Sequence, residues 1–393
     1  MPSCLICNGS TRPLFSLGLQ PLANKYPKAI EDFASEITRE MTAFYCPDCS
    51  YINLPCDIDR SVFFEDYYYL SSVNRELVNH FQSLADHIKS VGYQFVLDVG
   101  SNDGILLRPL KTLGIKCLGI DPSENVSEIA NREGLETLVG FFNKATAQSV
   151  KASHGKPDLI CASSVFTHLD NPLEFFEAAE SLLQEGGAVI VEVEYMGSIV
   201  DSLAFERFYF DRPHYYSVRA LSKIAGSAGF QLSEISFIDA HGGSVRAVFH
   251  RYGTQNPSAK VREIIEAEKA SLSEEHIVSK FQDFKRAGLQ FMESIRKMLS
   301  EGRRVAAYGC PARFSTITNF CGIGSSLLPY VIDDSPLKSG RFSPGKHIPI
   351  VPFSSAEEVD SYIVFAYEYI DSIRSKVNAS HVEYFKPIPF VKL

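Results

Sequence analysis

The chain has 393 residues, too many for one compact core, so two or three domains are expected. Its 45% hydrophobic and 22% charged residues are those of an ordinary globular protein, and nine cysteines in this length do not suggest a disulfide scaffold. A formal net charge of -9 and a pI near 5.6 disfavour a general nucleic-acid-binding face, although a local basic pocket for a small anion stays compatible.

No apolar run is long enough to span a bilayer, and Met1-Pro2-Ser3-Cys4 opens no signal-peptide pattern; a cytoplasmic protein without a membrane partner is expected. The N-terminal segment carries Cys4-Leu5-Ile6-Cys7 and Cys46-Pro47-Asp48-Cys49, each beside turn residues. Two C-x-x-C knuckles fit a closed tetrahedral zinc site, with Cys4, Cys7, Cys46 and Cys49 as ligands. Four thiolates leave no open position, so the metal is expected to be structural; Cys56 is read as a core or edge thiol. The tyrosine-dense run from Phe63 to Ser72 is mainly packing, with hydroxyls suited to sugar or keto oxygens where they line a cleft. A helix follows over 74–90, with Leu77, Phe81, Leu84 and Ile88 on one stripe.

The organising stretch is Val96-Leu97-Asp98-Val99-Gly100-Ser101-Asn102-Asp103-Gly104. A buried parallel strand ends at Gly100, and helical spacing restarts at Ile105. Such a strand–glycine–helix turn gathers backbone N–H groups and a positive helix end at one spot. Asn102 stands where a third glycine often sits and tolerates the left-handed region. One unit later Cys117-Leu118-Gly119-Ile120-Asp121 reads as a strand ending on a carboxylate able to accept from ribose hydroxyls. Asp98, Gly100, Gly104 and Asp121 together resemble the AdoMet-binding signature of class I methyltransferases. The fuller G-x-G-x-x-G pattern of a pyrophosphate cofactor is absent.

The alternation continues with strand Asp158-Leu159-Ile160-Cys161-Ala162, leading to Ser163, Ser164, Val165 and His168, and with Gly186-Gly187 before strand 188–193. A doubly wound sheet over 95–250 is expected, with ligands beyond the carboxyl ends of its strands. After Gly253-Thr254-Gln255-Asn256-Pro257 the chain turns charged and helical. Ser271-x-x-Glu274 reads as a capping box, and Ile277, Phe281, Phe284, Gly288, Phe291, Ile295 and Met298 mark one apolar face. A second α/β unit starts at Arg304-Val305-Ala306-Ala307-Tyr308-Gly309, with later strands near 330–333 and 362–367.

Taken in order, these pieces resemble the sugar C-methyltransferase family, AdoMet-dependent enzymes that methylate C3 of nucleotide-linked 4-keto-6-deoxyhexoses. The resemblance spans nearly the whole chain. It rests on the paired knuckles, Leu19-Gln20-Pro21-Leu22-Ala23-Asn24, the 98–104 motif and His241-Gly242-Gly243-Ser244-Val245-Arg246. Tyr308-Gly309-Cys310-Pro311-Ala312, Asn319-Phe320-Cys321-Gly322-Ile323-Gly324, Asp333 to Arg341 and His347-Ile348-Pro349 extend it. It implies an α/β protein with a zinc-binding N-terminal domain (1–73), a central class I methyltransferase Rossmann-like domain (74–253) and a C-terminal Rossmann-like α/β domain with a helical lead-in (254–393). It also implies AdoMet and structural Zn²⁺ as cofactors and a nucleotide-sugar substrate in the cleft; the acidic balance goes with no nucleic-acid partner, and a monomer is expected.

Residue by residue, AdoMet is expected against Asp98, Gly100, Asn102, Gly104, Asp121, Pro122 and Ser163. Phe141, Phe142 and Asn143 match the family's adenine-contacting segment. The substrate is expected against Tyr69, His241, Tyr308, Asn319 and Arg341. One segment departs from the family. A Tyr-His-Glu-His run is usual there, and this chain reads Tyr209-Phe210-Asp211-Arg212-Pro213-His214. Tyr209 matches the Tyr and Asp211 the Glu, while Arg212 falls where the base histidine would be. Arginine stays protonated and cannot take the proton. The base is therefore expected at His214, two residues on, with His168 or Tyr209 as alternatives and Arg212 holding an oxyanion or a phosphate. Two other readings are a zinc-ribbon RNA methyltransferase and an AdoMet-binding scaffold that lost its chemistry at Arg212.

Overall fold

The computed structural model describes residues 2–59, 61–64 and 70–393. The N-terminal unit is a meander of β1 (Arg12–Pro21), β2 (Thr38–Cys46) and β3 (Tyr51–Asn53), followed by one turn of helix, α1 (Ser61–Phe64). Helix α2 (Arg75–Val91) starts on Asn74, whose side chain accepts from the backbone N–H of Glu76 and Leu77, and stops at Gly92 in the left-handed region. It buries the stripe read from the sequence: Leu77, Phe81, Leu84 and Ile88.

The central alternation runs β4 (Phe95–Val99), α3 (Leu107–Thr112), β5 (Lys116–Asp121), α4 (Glu124–Arg132), β6 (Thr137–Val139), α5 (Lys144–Ser153), β7 (Leu159–Ser163), α6 (Pro172–Leu182) and β8 (Ala188–Glu194). Then come α7 (Met196–Asp201), β9 (His214–Tyr215), α8 (Val218–Ser227), β10 (Phe230–Ile238) and β11 (Ser244–Arg251). Seven strands form one sheet in the order β10-β11-β8-β7-β4-β5-β6. The five strands β4 to β8 are mutually parallel and β10–β11 is an antiparallel hairpin at one side. Strand β9 leaves this sheet and pairs with β3 instead, closing the N-terminal sheet as β1-β2-β3-β9.

Helices α9 (Ala259–Ser271) and α10 (Glu274–Ser300) lead into the last unit. The cap of α10 is Ser273, which accepts from the His276 N–H, whereas Ser271 ends α9; two helices abut there, so the cap falls two residues later than expected and the Ser271–Glu274 box does not form. The whole apolar face expected on α10 is buried. Its Phe281 and Phe284 join Phe15 of β1, Phe205 and Phe320 in an aromatic seam that joins all three parts of the chain. Each such ring withdraws enough apolar surface to contribute about 1.5–3 kcal/mol.

The final unit has β12 (Val305–Tyr308), α11 (Ala312–Cys321), β13 (Val331–Ile332), β14 (Ile350–Val351), β15 (Ser361–Val364), α12 (Ile370–Val377), β16 (Glu383–Lys386) and β17 (Val391–Lys392), ordered β14-β13-β12-β15-β16-β17. Both large sheets reverse their strand order beside the first strand, between β4 and β7 and between β12 and β15. These are the crevices where open α/β sheets take ligands. Residues following all four strands line one shared cleft.

Candidate active site

At the N-terminus, Asn8 (φ 55°) and Ser50 (φ 52°) turn the two knuckles back through the left-handed region. The Sγ atoms of Cys4, Cys7, Cys46 and Cys49 lie within 4.8 Å of one another, and three of the four residues are buried. Burial, reinforced by Cys46, pushes the Cys4 thiol up to about 11, a cost that a divalent cation among the four sulfurs would offset. The donor set and clustering fit a closed tetrahedral site. The Lys223 ammonium of α8 sits 3.9 Å from Cys49 Sγ, so the knuckle is docked on the central unit.

The shared cleft has a volume of about 1260 Å³. One wall is the β4 turn. Gly100 has φ 75° and Asn102 φ 50°, as the strand-to-helix reversal requires. A Cβ at Gly100 would lie 2.7 Å from Val165, so the glycine lets the chains after β4 and β7 cross at the cleft edge. Asp121 ends β5 buried, with Oδ2 accepting from the Asn102 N–H and Oδ1 from the Ser123 N–H, both at 2.9 Å. The Ser123 side chain bonds the same carboxylate, and with about four lone-pair positions a carboxylate so engaged keeps acceptor capacity for a ribose hydroxyl. That capacity is the observation on which AdoMet fits. Asp98, Pro122, Phe141, Phe142, Asn143 and Ser163 line the same end. Burial, then the nearby Asp121 and Glu192, push the Asp98 carboxyl well above the usual carboxylate range.

Gly104 is the exception among the expected cofactor residues. It lies outside the cleft, and a Cβ there would meet Leu135 at 2.5 Å; its role is close packing of the turn against the segment before β6.

The other wall holds His168, Tyr209, Asp211 and Arg212. His168 sits on the turn after β7, and its Nδ1 lies 2.6 Å from the Asp211 carbonyl oxygen. A carbonyl only accepts, so the neutral ring carries its proton on Nδ1 and its lone pair on Nε2. Asp211 Oδ2 lies 3.9 Å from the same nitrogen, and Asn24 donates to that oxygen at 3.4 Å. Arg212 pairs with Glu194 and lies 5.4 Å above the Tyr209 ring. Burial is the largest influence and opposes its charge, but Glu194, Tyr209 and Asp211 together outweigh it and keep the guanidinium protonated.

The structure places the expected base away from the cleft. His214 is 1% exposed and absent from the cleft wall. Pairing of β9 with β3 turns its ring into the N-terminal core, where Nδ1 meets the Tyr51 hydroxyl and Nε2 lies 2.7 Å from the Leu169 carbonyl. Three expected substrate contacts also lie elsewhere. The Tyr308 hydroxyl faces Asp334, the Asn319 amide is tied to the Ser315 and Pro344 carbonyls, and Arg341 reaches the Tyr26 carbonyl. They brace the C-terminal unit and the strap before β2 because those segments pack together behind the cleft. The backbone of His241 lies in a short turn beside the cleft residue Gly242. Tyr69 lies outside the described residues.

Sequence reasoning missed Glu192, Glu194, Arg207, Arg313 and Glu368. Arg207 pairs with Glu194 at 2.8 Å and Glu368 at 3.4 Å, and Arg313 with Glu368 at 2.7 Å, so a chain of charges links the central and C-terminal units. Gly242 makes this possible: a Cβ there would lie 2.3 Å from the Arg207 guanidinium. The available signal was Ala188-Val189-Ile190-Val191-Glu192-Val193-Glu194, in which two carboxylates interrupt a buried strand and must find partners.

Residues 65–235 match the model of a methyltransferase domain, and residues 239–389 match that of the C-methyltransferase C-terminal domain. The C-methyltransferase NovU of Streptomyces niveus is 27% identical across 94% of this chain and 90% of its own length. The chain is an AdoMet-dependent C-methyltransferase. It is also 32% identical over 98 residues, 24% of its length, to 39% of the ubiquinone biosynthesis O-methyltransferase of Caulobacter sp. (strain K31). The solved magnesium protoporphyrin IX methyltransferase of Synechocystis PCC 6803 with bound SAM aligns to 50% of this chain and 99% of its own, at 16% identity and a TM-score of 0.38. In this C-methyltransferase, Asp121→Ala is expected to weaken AdoHcy binding by about 1–3 kcal/mol, because a buried hydroxyl pair loses its acceptor. Burial raises the Asp121 carboxyl, so wild-type affinity should fall on acidification at a higher pH than an exposed aspartate would give. Isothermal calorimetry across pH checks both, and an unchanged affinity for the variant would remove Asp121 from the site.

Proposed function

We propose that this C-methyltransferase adds a methyl group to C3 of a nucleotide-diphosphate-linked 4-keto-6-deoxyhexose, with Zn²⁺ held structurally by the four cysteines. The observation that carries the reading is the cleft itself. At about 1260 Å³ it exceeds the roughly 300–1,000 Å³ of a one-ligand pocket, and it lies where the ligand edges of two parallel sheets meet. One edge suits the adenosine of AdoMet; the other leaves room for a second, nucleotide-sized ligand against Arg313 and Lys338.

Bound AdoMet supplies an electrophilic methyl group. The chain's own residues do the rest. A 4-keto group acidifies the C3 proton, and His168 Nε2 removes it. Arg212, fixed by Glu194 and backed by Tyr209, steadies the oxygen on which negative charge develops. Asp211 and its carbonyl hold the His168 ring so that the basic nitrogen is the one presented.

The test is turnover of AdoMet with dTDP- and GDP-linked 4-keto-6-deoxyhexoses, read by mass spectrometry. A gain of one methyl on one of them, placed at C3 by NMR, is the expected result. No methylated product from any of them would overturn the substrate assignment and leave the enzyme class untouched.

A further inference from the structure

Arg246 belongs to a motif that the chemistry above does not use. It lies on β11 opposite Glu192 of β8, and Glu192 lies opposite Ser163 of β7. Just beyond the last paired residues of β4, the Gly100 N–H donates to the Ile120 carbonyl, and Asp121 follows at the end of β5. One line across the sheet therefore runs from the ribose acceptor to a guanidinium. It follows the direction in which an extended nucleoside–amino acid would lie across the strand ends.

Glu192 is 3% exposed and fully engaged. It accepts from Arg246 Nε at 2.6 Å and from Ser163 Oγ at 2.9 Å, and its Oε2 lies 2.8 Å from His80 Nε2 of α2. Burial opposes its charge, yet His80 and Arg246 more than offset this and hold it below the usual carboxylate range. Glu192 thus draws the guanidinium back over β8, three strand steps or about 14 Å from the β5 backbone, and the Asp121 and Arg246 side chains close part of that gap. Arg246 has five N–H donors; Glu192 uses Nε, and Nη1 and Nη2 have no hydrogen-bond partner among the described residues. Arg246, His80 and Ser163 all line the cleft. A buried ion pair of this kind is seldom kept for stability alone, since apolar residues of similar size serve as well or better. Farther back on the same face, Ala188 and Ile190 of β8 are apolar and packed under α2. The change to Glu192 comes where its partners Ser163, His80 and Arg246 reach the cleft wall.

We propose that Arg246, aimed by Glu192, receives the α-carboxylate of the methionyl portion of AdoMet through its Nη groups, and so selects cofactors that carry an intact amino acid. The inference rests on the AdoMet dependence of the enzyme and not on the sugar substrate. A bidentate guanidinium–carboxylate pair is the strongest recognition available for this end of the cofactor.

The test compares AdoHcy with S-adenosyl-3-thiopropylamine, which lacks only the carboxylate, by calorimetry on the full-length enzyme. The wild type should prefer AdoHcy by about 10- to 100-fold. Arg246→Gln should lose that preference while binding the amine within about twofold of wild type, which also shows that the adenosine end is intact. Arg246→Lys should recover part of the preference. A wild-type preference below twofold, or an Arg246→Gln enzyme that still prefers AdoHcy, overturns the proposal. So does equal weakening of both ligands, which would make the cluster a scaffold only. Loss confined to a nucleoside diphosphate would assign the guanidinium to the substrate and overturn it as well.

Discussion

The His168→Asn enzyme should turn over about 10²- to 10⁴-fold more slowly than wild type, the usual contribution of a positioned base. Asparagine keeps an N–H donor for the Asp211 carbonyl, so the loop after β7 retains its anchor while the basic nitrogen is lost. The sharpest readout is exchange of the substrate's C3 proton with D₂O in the presence of AdoHcy, because exchange isolates proton removal from methyl transfer. His168→Asn should show almost none while binding AdoHcy normally. His214→Asn should behave differently. Its ring is sealed in the N-terminal core between Tyr51 and the Leu169 carbonyl. Losing those bonds costs about 1–3 kcal/mol of stability for each buried group left unpaired, and the folded fraction should still exchange the proton. Exchange at the wild-type rate in His168→Asn would place the base elsewhere.

Removal of the metal is the second large effect. Freshly purified protein should carry one Zn²⁺ per chain by elemental analysis, with Zn–S distances of about 2.3 Å by X-ray absorption. Cys46→Ser should lower the melting temperature on the order of 10 °C or more, since structural zinc contributes about 10–16 kcal/mol of apparent folding free energy in small peptides and even a fraction of that is a large shift. The damage should spread inward. Cys46 ends β2, β3 begins at Tyr51, and β3 holds β9 and with it the segment carrying Arg212 and Asp211. The pH–rate profile of the remaining folded enzyme should keep its shape, because four thiolates leave no open position for chemistry. Less than half an equivalent of zinc in fresh protein would remove the claim.

Features written within a few residues of one another were legible in the sequence. The paired knuckles, the Gly100 turn with Asn102 in the left-handed region, the Asn74 start of α2 and the apolar face of α10 are local. Each depends on spacing, side-chain period or one cap, and those act over a single turn or strand. The placement of the proposed base was not legible. Residues 168 and 214 are both histidines near the expected segment, and no local signal separates them. The separation comes from β9 pairing with β3, more than 150 residues away in sequence, which sends His214 into the core and leaves His168 on the cleft wall. The same holds for Glu192 and Glu194. The sequence shows carboxylates in a buried strand and so demands partners, but only the tertiary structure supplies His80, Arg246, Arg207 and Arg212 from three different segments. By itself the sequence determined the enzyme class and marked the edge proposed for the cofactor, because the glycine turn and the strand-end acid are one contiguous βαβ unit. The wall that carries the proposed base was decided by packing between distant segments, where charge and burial, not local propensity, choose the partners.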